Sequence, residues 1–341
     1  MGLTAKKKML VTGGAGFIGS NFIRHMLSSY SDYDIINLDL LTYAGNLENL
    51  KEVEGDVRYH FIKGDISDMG LLESIFETEM DYVVNFAAET HVDRSIDDPI
   101  AFVRTNVLGT ESLLDCARRY GVGKFIQIST DEVYGALGSD GYFTEDTNLN
   151  PNSPYSASKA AADLLVRAYS RTYGLDVNIT RCSNNYGPYQ FPEKLIPLMI
   201  ANSLEGLELP IYGDGLQIRD WLHVSDHCRA IDMVLHKGVP GEIYNIGGNN
   251  EKTNIDLVRF IINRTGADES FVRHVKDRLG HDRRYAIDSS KIRSELGWEA
   301  LCSFEEGMEE TIKWYVNNRQ WWERIRSGDY KCYYDKMYNN R

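Results

Sequence analysis

A short apolar run, Met9-Leu10-Val11-Thr12, stops at Gly13-Gly14-Ala15-Gly16-Phe17-Ile18-Gly19 and gives way to helical patterning as far as about Leu27. Glycines at this spacing let the backbone turn tightly between a strand and a helix and approach a ligand closely. The helix N-terminus that follows is a natural seat for a pyrophosphate. Taken alone, the glycines could equally make a plain structural turn. The next segment favours the ligand, because Ile35-Ile36-Asn37-Leu38 reads as a second strand ending at Asp39, 20 residues beyond Gly19. A carboxylate there can bind both ribose hydroxyls of adenosine and repel a 2′-phosphate, which selects NAD over NADP.

The alternation continues. Strands are expected at Tyr59–Ile62 and Tyr82–Phe86, delivering Asp65 and Ala87-Ala88 to the same edge, then at Lys124–Ile128 and Asp176–Arg181. The run from Ile100 to Arg119 has helical spacing, and Gly109 in its middle marks either close packing or a weakened helix. The fold class is therefore α/β: a Rossmann-like doubly wound parallel sheet over residues 1–182, with a segment returning near 222–246. From Ser183 the elements shorten and prolines increase, which points to a smaller C-terminal α/β substrate domain over 183–330. A helix from Phe304 to Asn317 closes it, and 331–341 is a tail without an assigned role. The Gly-, Asn- and Pro-rich stretch Gly135–Pro154 reads as a lid or rim.

Composition narrows the partners. A net charge of −13 over 341 residues argues against nucleic acid, although a few cations in a cleft suffice for an anionic small molecule. The five cysteines lack Cys-x-x-Cys spacing and the eight histidines lack metal spacing, so neither disulfides nor a metal site is expected. Met1–Lys8 runs straight into a strand, unlike a signal peptide, and no stretch reaches the roughly 18 apolar residues of a membrane span. A cytoplasmic protein is expected.

The chemistry concentrates downstream of the fifth strand. Ser129-Thr130-Asp131-Glu132 places a hydroxyl and two acids at its carboxyl end, where side chains of a doubly wound sheet open into the ligand crevice. A solvated turn is the plainer explanation of the same residues. Tyr155 and Lys159 lie four apart on one face of a helix. A lysine and a positive nicotinamide would favour the phenolate and make Tyr155 a base. Asn184–Lys194 is polar and aromatic, suited to a flat ring and a sugar. Arg219 and the run Asp277–Arg284 concentrate cations that either pair with phosphate oxygens or form a solvated cluster.

Together, Gly-x-x-Gly-x-x-Gly with Asp39, Ser129-Thr130 and Tyr155-x-x-x-Lys159 resemble the extended short-chain dehydrogenase/reductase superfamily. Thr130-Asp131-Glu132, Tyr43–Leu47, Asn184–Lys194 and Asp277-Arg278-x-Gly280-His281-Asp282 are similar to its nucleotide-sugar 4,6-dehydratase branch. Leu40 and Leu279 depart from that branch, which often has Lys and Pro there. The resemblance implies an NAD site of Gly13, Gly16, Phe17, Ile18, Gly19, Asp39, Leu40, Leu41, Thr42, Gly45, Asp65, Ile66, Phe86, Ala87, Ala88, Thr90, Thr105, Ser129, Tyr155, Lys159 and Asn184. It implies that dTDP-glucose is held by Thr90, Thr130, Asn184, Glu193, Lys194, Leu195, Pro210, Tyr212, Arg219, Asn254, Asp277, Arg278 and His281. Tyr155, with Lys159 and Thr130, would take the C4 hydroxyl proton, Glu132 the C5 proton, and a protonated Asp131 would release the C6 hydroxyl as water. A homodimer through Ile100–Arg119 and Tyr155–Tyr173 is also implied. A sugar-nucleotide 4-epimerase, a dehydratase for another nucleotide-glucose and a non-catalytic NAD-binding scaffold remain alternatives.

Overall fold

The computed structural model describes residues 6–327; the tail at 331–341 lies outside them. The strands are β1 (Lys7–Thr12), β2 (Tyr33–Asp39), β3 (Tyr59–Lys63), β4 (Tyr82–Asn85), β5 (Lys124–Thr130), β6 (Val177–Cys182), β7 (Asn184–Tyr186), β8 (Leu209–Tyr212), β9 (Ile218–His223), β10 (Ile243–Ile246), β11 (Glu251–Thr253) and β12 (Val272–Val275). Seven form one parallel sheet in the order β10-β6-β5-β4-β1-β2-β3. β5 is buried at every residue, as expected where helices cover both faces. The strand order turns back at β1, whose neighbours are β2 and β4, and the crevice at such a point is where doubly wound sheets bind ligands.

β10 returns to this sheet beside β6 after three intervening strands have left it. The helix before it, Val224–Lys237, packs on the helix Phe17–Ser29. Their contact centres on Asp232, which binds His25 Nε2 at 2.7 Å, accepts from Tyr30 at 2.9 Å and pairs with His236 Nδ1 at 2.8 Å. Despite burial, bonds to His236, His25 and Tyr30 hold the Asp232 carboxyl well below its usual range, and Asp232 raises His236. The carboxylate's contribution is present above pH ~4 and lost as pH falls through the depressed value. The imidazolium's is present below pH ~6.5 and lost as pH rises through the raised one. Asp232→Asn should therefore lower Tm most between those limits, by roughly 2–6 °C, in a pH series of melting curves.

The long helical run is Pro99–Phe102, a π-wound stretch Val103–Gly109, and Thr110–Arg119. Gly109 is there for close packing, since a Cβ would stand 2.5 Å from Ile66 Cδ1. The π turn carries Thr105 and Asn106. Asn106 clasps the Glu89 backbone, accepting its N–H at 2.8 Å and donating to its carbonyl at 3.0 Å. The helix Pro154–Tyr173 starts with a capping box between Ser153 and Ser156 and ends at left-handed Gly174.

Of the two readings of Gly135–Pro154, lid or rim, the contacts of Phe143 favour the rim. Phe143 is buried, donates its N–H to the Ala286 carbonyl at 3.0 Å and accepts from Asp288 N–H at 2.8 Å. It packs with Val133, Tyr134 and Ile287, so the segment is a fixed rim.

Sheets β11-β9-β7 and β12-β8, with helices Leu195–Glu205, Asn254–Thr265 and Phe304–Asn317, surround a second core containing Tyr186, Leu257, Met308, Tyr315 and Trp322. A further helix, Arg319–Arg326, is not evident from the sequence pattern, and it buries Trp321 and Trp322.

Candidate active site

A cavity of about 300 Å³ opens at the carboxyl ends of β1, β2, β4 and β5 and extends to the start of β7. Its first half is built by glycines that admit no substitute. A Cβ on Gly13 (φ 67°) would stand 2.6 Å from Ala87 N, and one on Gly19 would stand 2.5 Å from Gly13 O. The helix from Phe17 has no side-chain cap, while Gly16, Phe17, Ile18 and Gly19 line the cavity. Uncapped first-turn N–H groups beside a cavity fit a pyrophosphate.

Asp39 is fixed by two backbone donors, Leu41 N–H to Oδ1 at 2.8 Å and Ala15 N–H to Oδ2 at 2.9 Å. Burial raises its pKa and those bonds pull it back. Each oxygen keeps a lone pair for a ribose hydroxyl. Gly45 closes the turn around it, since a Cβ there would meet Asp39 Oδ1 at 2.9 Å. Leu40, Thr42, Asp65, Ile66, Phe86, Ala87, Ala88, Thr90, Thr105, Ser129 and Asn184 line the same cavity. Leu41 does not; it sits at φ 56° and contributes only its N–H.

Thr130, Asp131, Glu132, Tyr155 and Lys159 share the other half. Thr130 ends β5 and caps the single helical turn Asp131–Tyr134, its Oγ1 accepting Glu132 N–H at 3.3 Å and donating to Asp131 Oδ1 at 3.3 Å. The two acids then diverge. Burial, reinforced by Glu132 and Asp220, pushes Asp131 well above the carboxylate range and keeps it protonated. Burial also raises Glu132, but Arg278, Arg219 and Lys194 pull it back toward the anion. Both carboxyls are thus raised, Asp131 the further, and environments that separate two neighbouring carboxyls suit one to acid and the other to base chemistry.

Tyr155 is buried on the wall of the same cavity. Burial and the Glu132 charge push its phenol well up, and the largest opposing pull is the bond to Thr130. Lys159 donates to the Ile128 carbonyl at 2.6 Å. That bond ties the Lys159 amine to the end of β5.

The remaining predicted residues divide. Glu193 and Lys194 line the cavity, with Glu193 paired to Arg94 at 3.3 Å and Lys194 donating to the Thr90 carbonyl at 3.0 Å. Arg219 and Arg278 act on Glu132 from beyond the cavity lining, and Arg219 also packs 4.3 Å over the Tyr285 ring. Tyr212 and His281 meet edge to face at 6.2 Å, and His281 Nδ1 binds Asp277 at 2.6 Å. Burial and Arg278 lower His281 to about 4, which leaves it neutral. Asn254 opens the helix Asn254–Thr265, and its Oδ1 is buried with no hydrogen-bond partner among the described residues. Leu195 and Pro210, like Tyr212, Arg219, Asn254, Asp277, Arg278 and His281, lie outside the lining of this cavity. Leu195 starts a helix packed on the second core, and Pro210 is held in β8 opposite Arg273.

Sequence reasoning missed Glu89, Gln190 and Phe191 on the cavity wall as site residues, and Asp220 behind it. Asp220 sits in β9 beside Arg219, in a run that stands out in the sequence only for its cation. Its carboxylate accepts N–H bonds from Gly248 at 2.9 Å and Asn250 at 2.7 Å. Asp220→Asn removes one of the negative charges that keep Asp131 protonated. The alkaline limb of the kcat profile should then move to lower pH, and an unmoved profile would refute that role. Among the described residues no cluster of His, Cys, Asp and Glu is arranged to hold a metal ion, and no helix is long and apolar enough to cross a membrane.

A family model described as GDP-mannose 4,6 dehydratase matches residues 10–311. The dTDP-glucose 4,6-dehydratase of Xanthomonas campestris pv. campestris is 54% identical, covering 94% of this chain and 97% of that protein. The chain belongs to the dTDP-glucose 4,6-dehydratase family. The crystal structure of the family's enzyme from Bacillus anthracis, in complex with NAD, superposes with a TM-score of 0.88 at 55% identity, covering 94% and 99% of the two chains. The Streptomyces venezuelae enzyme, with NAD and TYD bound, gives 0.91 at 54%, covering 93% and 99%.

Proposed function

We propose that this protein is an NAD-dependent hydro-lyase that converts dTDP-glucose to dTDP-4-keto-6-deoxyglucose. One observation carries the reading: Asp131, Glu132 and Tyr155 line a single cavity with the glycine turn and Asp39. When bound, NAD accepts the hydride from C4 and returns it to C6. Tyr155, as the phenolate that the positive nicotinamide ring would favour, takes the proton of the C4 hydroxyl. The 4-ketone acidifies C5, and Glu132 removes that proton under the restraint of Arg278, Arg219 and Lys194. Asp131 gives its proton to the C6 hydroxyl, which leaves as water, and a proton exchanged with solvent is returned to C5 as the hydride reaches C6.

The test is to incubate the protein with dTDP-glucose or GDP-mannose in heavy water and weigh the products. The proposal expects dTDP-glucose to lose one water and gain solvent deuterium at C5, with GDP-mannose untouched. An isomer of unchanged mass would indicate 4-epimerisation, and dehydration of GDP-mannose alone would overturn the substrate.

The helices at 99–119 and 154–173 expose Ile100, Val103, Leu108 and Leu164, each about half or more accessible. Apolar side chains gathered on adjacent helices fit a symmetric dimer, and sedimentation at twice the chain mass is expected. Among the described residues Cys116, Cys182, Cys228 and Cys302 are free thiols.

A further inference from the structure

The helix Arg319–Arg326 lies far along the chain from the glycine turn, yet it is wired to it through buried groups. Trp321 Nε1–H donates to Asn49 Oδ1 at 2.9 Å, and Asn49 Nδ2 donates to the Ala15 carbonyl at 2.9 Å. Ala15 N–H donates in turn to Asp39. Ala15 is fully buried, Asn49 is 3% exposed and Trp321 7%, so water cannot readily replace either bond.

The same indole reaches the opposite wall of the cavity. Tyr189 packs against Trp314 at 4.6 Å and Trp321 at 6.0 Å, with the Arg24 guanidinium 4.0 Å from its ring. Tyr189 is held at φ 68°, a left-handed conformation a tyrosine adopts only when its surroundings enforce it. The next two residues, Gln190 and Phe191, line the cavity. Tyr315 donates its hydroxyl to the Gln190 carbonyl. One side chain thus braces both the glycine turn, through Asn49, and the loop that faces it, through Tyr189.

We propose that Trp321, acting through Asn49, is a positioning residue that holds these two walls in one arrangement around NAD and slows its release. The inference rests on the reading that the cavity binds NAD. Trp321 and Asn49 touch neither cofactor nor substrate in this scheme; they fix the backbone that does.

A neighbouring side chain separates this role from a merely structural one. Trp322 is on the same helix and fully buried, and its Nε1–H goes to the Tyr315 carbonyl at 2.9 Å, with no bond toward the glycine turn. The experiment purifies holoenzyme of the wild type, Trp321→Phe, Asn49→Ser, the double variant and Trp322→Phe. It follows the loss of bound NAD after rapid gel filtration and records Tm alongside. Trp321→Phe and Asn49→Ser should each release NAD about 3- to 10-fold faster, as expected for one buried hydrogen bond. The double variant should be little faster than either, because the two residues act in series. Trp322→Phe should release NAD at the wild-type rate even where its Tm falls.

Wild-type retention in Trp321→Phe, or equal loss in Trp322→Phe, would overturn the proposal. Should Trp321→Phe not fold, Asn49→Ser carries the same two outcomes. A wild-type protein that purifies without, and fails to bind, a nicotinamide cofactor would instead overturn the cofactor reading itself, and this inference with it.

Discussion

Glu132→Gln is expected to lower kcat by about 10²- to 10⁴-fold while leaving the NAD content of the purified protein unchanged. Glutamine keeps the size of the side chain and can still hydrogen-bond, so Arg278, Arg219 and Lys194 need not rearrange far. What it loses is the ability to take a proton from C5. The expected signature is therefore specific: no solvent deuterium enters C5, and the nucleotide sugar keeps its water. In the wild type the rate should fall as pH drops through the Glu132 pKa, because only the anion is a base. Burial has raised that value, so the acid limb should lie above the ordinary glutamate range. A variant retaining more than a tenth of the wild-type rate would remove Glu132 from the chemistry.

Asp131→Asn separates activity from stability. Asparagine imitates the protonated acid in shape and in donating a hydrogen bond, but it has no proton to give to a departing hydroxide. A loss of about 10²-fold or more in kcat is expected. Stability should move the other way. The folded pKa of Asp131 lies well above its unfolded value of about 3.9, so the folded state binds the extra proton. Stability from this group is greatest below pH ~4 and declines as pH rises toward the folded value. Asparagine has nothing to titrate. At neutral pH the variant should melt above the wild type by a few degrees, and the gap should close in acid. Melting curves at pH 4 and 7 check the sign, and a variant less stable than wild type at pH 7 would refute a protonated Asp131.

How much can be read in advance follows from what each signal depends on. Asp39, the glycine turn and the acids after β5 are legible because they sit at strand ends, where local pattern and topology agree. Gly109 is legible as a packing glycine, although Ile66, which it admits, is remote in sequence. Leu195 and Pro210 are expected at the site only through the resemblance, since no local pattern marks them. Asp220 and Tyr285 act across strands and through an arginine, so no motif announces them. Gly135–Pro154 has the composition of a mobile loop, and the partners that anchor it, such as those Phe143 meets near 287, are remote in sequence.

Because Ile243–Ile246 lies beside β6, a chain emerging from the ribosome as far as Cys182 already holds the glycine turn, Asp39, both acids and the Tyr155 helix. It would nonetheless present β6 as an open hydrogen-bonding edge, with the apolar face of Phe17–Ser29 bare where Val224–Lys237 will dock. Such an edge invites pairing with other nascent chains. More than sixty further residues must be synthesised before that risk ends. A chain truncated after Cys182 would be expected to aggregate, even though it encodes most of the cofactor pocket.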